Sequence, residues 1–181
     1  PVLDNGRPTT AIGNSSHAEG EITKAFGQAS HAEGHATTAV GNYSHAEGGG
    51  YYDADSKTYS YNPIAYGVSI NLPPSELLGN LAYGDSSHAE GLGNTANGVS
   101  SHVEGLKTIS NGNFSHAEGI NTTAQGESSH AEGIHTSAQG ESSHAEGDDC
   151  SALEFASHSE GLHTLANGSG SHSEGWYASA T

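Results

Sequence analysis

The stretch SHAEGIHTSAQGES, residues 129–142, decides the fold. Ser129, Ala131 and Gly133 recur seven positions later as Thr136, Ala138 and Gly140, so the 14-residue unit is one heptad written twice. Each heptad offers five residues of period-2 alternation and then two turn residues, which reads as a short strand and a tight corner. A helix fits poorly, because a glycine every seven residues costs a helix about 1 kcal/mol each time. Two strands and two corners close one flat coil, and stacked coils form parallel sheets.

Working outward, the opening pentapeptide Ser-His-Ala-Glu-Gly, or a close variant, occurs ten times. Its His/Glu pairs are His17/Glu19, His31/Glu33, His45/Glu47, His88/Glu90, His102/Glu104, His116/Glu118, His130/Glu132, His144/Glu146, His158/Glu160 and His172/Glu174. Successive histidines are 14 residues apart, except that His45 and His88 are separated by 43, which is one repeat plus 29 residues. Self-similarity at a fixed period marks a solenoid. The reading is therefore all-β: one repeat domain over residues 1–181, about ten coils, with a 29-residue insertion at 51–79. At about 4.8 Å per coil the stack is expected to be roughly 45 to 50 Å long.

Alternation also assigns the faces. Serine or threonine, alanine and glycine share one side of each strand, with histidine and glutamate on the other. Two-residue corners leave a thin interior, and turning the ionisable pairs inward would carry a large desolvation cost. The small residues are expected inside. An interior of alanine, serine and threonine buries little apolar area, so at roughly 25 cal/mol per Å2 it struggles to offset chain entropy. An obligate oligomer is the expected remedy.

The His/Glu strand is nearly uniform, whereas its sister strand carries Lys24 and Phe26, Thr38 and Val40, Leu81 and Tyr83, Thr95 and Asn97, and Thr123 and Gln125 at the outward positions. A solvated face tolerates such variety. Uniformity over ten copies implies one environment repeated, such as an axis shared with identical chains. The first corner position adds Leu92, Leu106, Ile120, Ile134, Leu162 and Trp176, an apolar stripe that reads either as a subunit contact or as cover for sheet edges.

Composition bounds the function. The chain has 21 acidic and four basic residues, a formal charge of -17, and only 32% hydrophobic residues. That charge gives no footing for nucleic acid or an anionic membrane surface. There is no 18-residue apolar run, no basic-then-apolar leader and no lipidation signal, so no membrane insertion is expected. Starting at Pro1 and ending mid-repeat at Thr181, the chain reads as a segment of something longer. Cys150, the one cysteine, replaces an inward threonine and is expected to be an inert buried thiol. Glu154 stands where the repeat has glycine, which predicts a local bulge.

The insertion differs in kind. It holds Tyr51, Tyr52, Tyr59, Tyr61 and Tyr66, five of the chain's eight tyrosines. Tyr59 to Tyr61 reads as strand, and residues 75–78 as at most one helical turn. Tyrosine-rich loops are frequent recognition surfaces; a flap packed over apolar surface is the alternative.

The pattern Ser-x-Ala-x-Gly at a 14-residue period resembles the head repeats of trimeric autotransporter adhesins of the YadA type. There Ser-Val-Ala-Ile-Gly fills the slot held here by Ser129, His130, Ala131, Glu132 and Gly133. The resemblance implies a left-handed parallel β-roll that assembles as a homotrimer, with the two variable strand positions directed at the trimer centre. It thus puts the ten His/Glu pairs at a subunit interface. Repeats with histidine and glutamate in these slots are also similar to those of phage and prophage tail-fibre-type proteins.

Chemically, Ser-His adjacency does not make a catalytic dyad, because neighbouring strand residues face opposite ways. No enzyme activity, cofactor or metal is assigned. The His/Glu ladder reads as a hydrogen-bonded network, with first-row metal binding as the alternative. The expected role is a structural and attachment module, in a virion tail fibre or at an extracellular surface. Its partners would be copies of itself and a host cell-surface receptor or glycan, met through the tyrosine loop.

Overall fold

A computed structural model describes residues 9–53, 58–59 and 77–181. The described chain is a parallel β-solenoid with no helix, and so none long and apolar enough to cross a membrane. Two parallel sheets run its length. One holds ten strands of the His-Ala-Glu-Gly type, from His17–Glu21 to His172–Trp176. The other holds eleven strands of two residues each, from Thr10–Ala11 to Ser179–Ala180. Each coil pairs with the next in strict 14-residue register, as in His116↔His130↔His144 and Thr123↔Ser137↔Ser151.

The interior is a double file of alanine methyls. Ala32, Ala46, Ala89, Ala117, Ala131 and Ala145 from one sheet, and Ala25, Ala39, Ala82, Ala96, Ala124, Ala138, Ala152 and Ala166 from the other, are all fully buried. Cys150 is likewise fully buried, its thiol directed at the Gly161 carbonyl at 3.2 Å. The glycines are fixed by stacking. A Cβ on Gly133 would lie 2.0 Å from the Gly147 carbonyl oxygen, and that backbone has φ +106°.

The serines close the corners. Ser30, Ser44, Ser101, Ser129 and Ser143 donate their buried hydroxyls to the carbonyl of the glycine three residues earlier, at 2.6–2.8 Å. The corner backbone is less expected. The second residue of nearly every corner is left-handed, and seventeen non-glycine residues take φ between 51° and 62°. That geometry lets the corner continue the ladder: the Ser142 N–H reaches the Glu127 carbonyl and the His135 N–H the Ile120 carbonyl, at 2.8 and 2.9 Å. Such residues cost about 1–2 kcal/mol each in the left-handed region. Repetition of the ladder bonds is what holds them there.

Two expectations need correction. Glu154 causes no bulge, because Ser151–Ala152 and the corner after it keep the register of neighbouring coils. The Glu154 N–H turns instead to the Ser157 hydroxyl, which in turn donates to the Glu154 carbonyl. Leu77–Leu78, expected in a helical turn, is a strand paired antiparallel with Gly50–Asp53. The latter also pairs with Thr58–Tyr59 through Tyr52↔Tyr59. This small antiparallel sheet leaves the coil stack undisturbed: Thr38–Ala39 pairs directly with Leu81–Ala82, and His45–Ala46 with His88–Ala89.

Candidate functional site

The residues repeated most strictly form one continuous outward column. In-register pairing sets each histidine beside the histidine of the next coil. Eight consecutive ring pairs, from His31–His45 to His158–His172, are stacked with centroids 4.6–4.9 Å apart and planes within 11°. Only the first pair, His17–His31, is edge-on. The spacing is that of the β-ladder itself. The backbone sets the stack, and the rings need only adopt a common rotamer.

The glutamates run alongside. Within a coil, His Nε2 lies 3.4–3.8 Å from the carboxylate two residues on, as in His130–Glu132 at 3.6 Å. The second carboxylate oxygen faces the next coil: Glu33 Oε1 is 3.3 Å from His45, and Glu47 Oε1 is 3.9 Å from His88. Glu47 thus spans two histidines, His45 and His88. Both partners in the middle of the column keep about a third of their side-chain surface exposed.

Exposure along the single-chain column differs between its middle and its outermost strands. Glu174 lies 3.7 Å from His172, but its side chain is 70% exposed, twice the value of Glu132. The strand that carries it, His172–Trp176, is the edge of its sheet and pairs only with His158–Leu162. Glu174 meets His172 alone, whereas Glu47 meets both His45 and His88. His17 and Glu19, on the opposite edge strand, are similarly open at 64% and 58%. Stacking between coils, and not the His/Glu sequence itself, is what shields the pair.

Most of these contacts fall outside hydrogen-bonding geometry. The Nε2 atoms of His31, His88, His102, His116, His130, His144 and His158 are shielded from solvent and have no hydrogen-bond partner within the chain. Burial, and next the neighbouring imidazoles, hold His88, His116 and His158 below the usual histidine range, against the pull of adjacent glutamates. Burial likewise raises Glu118, helped by the carboxylates of Glu104 and Glu132. Glu33 moves the opposite way, because Glu47 hydrogen-bonds to it and its histidine neighbours favour the anion. A carboxylate ladder shares protons, lowering some members while raising others.

The serines stand apart from this column. Ser129 and Ser143 point inward and are committed to the corner carbonyls, on the far side of the strand from His130 and His144. No Ser–His nucleophile pair forms in these coils. The stripe residues Leu106, Ile120 and Ile134 do stand in register, but Asp148 interrupts the row before Leu162 and Trp176.

Tyr51, Tyr52 and Tyr59 lie on the small antiparallel sheet. Tyr61 and Tyr66 lie outside the described residues. A second apolar set escaped the sequence reading: Tyr43, Val99, Phe114 and Phe155 are 44–60% exposed at the corners that precede the His strands. They fall at two adjacent phases of the 14-residue repeat, Val99 and Phe155 at the first corner position and Tyr43 and Phe114 at the second. Another ladder lies at the other corners, where His163 meets Asp149 at 2.8 Å and its ring packs tilted against Tyr177.

The family model of the YadA head domain repeat (2 copies) matches residues 5–21, 25–44, 117–138 and 131–152. Those segments are similar to YadA-type head repeats. The matched segments contain four of the His/Glu pairs, His17/Glu19, His31/Glu33, His130/Glu132 and His144/Glu146. The match sets the chain with a structural, adhesin-head type of repeat and not with a known enzyme class. No curated protein matches the chain.

Proposed function

We propose that this chain is a rigid attachment module, in which three β-rolls pack their His/Glu faces around a common axis and carry residues 51–79 outward for recognition. One observation carries the reading: the most uniform outward face of the solenoid is also the one with solvent-shielded, unpartnered ring nitrogens. A free surface gives no reason to repeat one pair ten times, whereas a three-fold axis presents every coil with the same neighbours. The alanine interior supports the same reading, since it buries too little to stabilise a separate chain without a partner surface.

In this assembly the rod belongs on a cell surface or in a phage fibre, where it meets a host receptor or glycan. The tyrosine-bearing segment is the recognition element, as an insertion that the coil register passes by. Residues 1–181 then act as one repeat domain with its insertion at 51–79. Sedimentation equilibrium tests the assembly: a particle of three 18.4-kDa chains supports it, and a stable monomer overturns it.

A further inference from the structure

We propose that the column is also a metal-binding array, holding first-row divalent cations between successive coils through two stacked histidine Nε2 atoms and the carboxylate between them. The ligand atoms are already gathered. Those of His31, Glu33 and His45 all lie within 4.8 Å of one another, as do those of His144, Glu146 and His158, and of His158, Glu160 and His172. Two ligands on a tetrahedral ion at about 2.0–2.1 Å stand about 3.4 Å apart. The His–Glu separations, such as 3.5 Å for His144–Glu146, meet that value already. The rings, stacked at 4.8 Å for His130–His144, have to tilt towards each other, and the carboxylate has to close on the histidine of the next coil, with the three ligand atoms of each triad above starting within 4.8 Å of one another.

Two further observations point to a cation. Seven column Nε2 atoms are withdrawn from solvent without a hydrogen-bond partner, a state that a coordinated ion relieves. The parallel carboxylates lie one coil apart in a chain of charge -17, so a divalent ion between them replaces repulsion by attraction. The donor set selects the ion class. Imidazole and carboxylate without thiolate suit zinc, nickel, cobalt or copper, and disfavour calcium, which prefers a cage of oxygens. Cys150 takes no part, being buried inside the coil. All three ligands come from one chain, so the array does not depend on the trimer. Ten column histidines taken two per ion allow at most five ions per chain.

The test is a titration of the chelator-treated full chain with Co2+, read by its visible absorption, and with Zn2+ by calorimetry, with sedimentation run on the same samples. Three to five ions per chain are expected, unaffected by millimolar Ca2+. Changing His116, His130, His144 and His158 to Gln should remove about two of them. His135→Gln with His163→Gln, off the column, should remove none. Glu118→Gln, Glu132→Gln and Glu146→Gln, which keep the rings, should weaken binding at least tenfold even if the histidine variant folds poorly. Less than one ion per chain, displacement by Ca2+, or a stoichiometry indifferent to the column changes overturns the array. A trimer without ions removes this proposal alone, and an ion-loaded monomer removes the trimer alone.

Discussion

His130 and His144 stack face to face, with ring centroids 4.8 Å apart and planes 4° from parallel. Their backbones are ladder partners, so the sheet sets the spacing at which the two rings stand. Beside them Glu132 and Glu146 are ladder partners too. Two ionised carboxylates about 5 Å apart repel by roughly 3 kcal/mol at an effective dielectric near 20, before solvent screening. Whatever meets this face has to supply donors or positive charge.

Removing donors and removing both partners should therefore differ. His116→Ala, His130→Ala and His144→Ala together leave carboxylates without their neighbours, and the trimer should weaken. His130→Val with Glu132→Ile removes charge and donor at once and should be neutral or stabilising, as for other buried ion pairs replaced by packed apolar residues. Sedimentation velocity against temperature separates the two outcomes; equal effects would contradict the interface.

Acid should destabilise the column. His88, His116 and His158 are held below the ordinary histidine value of 6.5 in the folded state. Their contribution is present above that value and is lost as pH falls through the lowered folded values, because the unfolded chain binds the protons first. With chelator present, the melting temperature should drop as pH falls below about 6.5. His88→Gln, His116→Gln and His158→Gln together should flatten that drop. A profile unchanged by these substitutions would place the acid sensitivity elsewhere.

The left-handed corners give a stability test independent of function. Ala156 and Phe114 have φ of 52° and 58°, where glycine is at ease and other residues are not. Gly170 takes the same place in its coil with φ 66°. Ala156→Gly should stabilise by about 1 kcal/mol. Gly133→Ala should do the reverse, since its methyl would meet the next coil's carbonyl. Denaturant midpoints of the two variants should move in opposite directions.

Deleting residues 51–79 joins Gly50 to Asn80 and restores a 14-residue coil. Because Leu81–Ala82 already pairs with Thr38–Ala39, the stack and its assembly should survive. Binding to target cells, followed by flow cytometry of labelled protein, should fall. Loss of folding would make the segment a structural flap.

Much of this was legible because the repeat states itself ten times. Period 2 within period 7 gave the strands, the buried alanines and the outward His/Glu pairs, and the stacking of His130 on His144 follows from register alone. The corners were less legible. Left-handed backbone is ordinarily signalled by glycine or asparagine, but here serine, alanine, tyrosine and phenylalanine occupy it, as at Ser142, Ala156, Tyr43 and Phe114. Ladder bonds between coils impose that conformation, and they are invisible in a local window. Glu154 was misread for the same reason: a glycine slot suggests a backbone demand, yet the adjacent coils hold the register without it. Leu77–Leu78 was misread because its partner, Gly50–Asp53, lies across the insertion.

The central claim, that three chains meet across the His/Glu face, is tested most directly by cross-linking between chains. Glu132→Cys puts a thiol in the middle of the column, while Gln125→Cys puts one on the outward side of the sister sheet; Cys150→Ser removes the native thiol from both. A short bis-maleimide should join Glu132→Cys chains into covalent oligomers and leave Gln125→Cys chains single on a denaturing gel. Cross-linking through Gln125→Cys, with Glu132→Cys left single, would contradict the account.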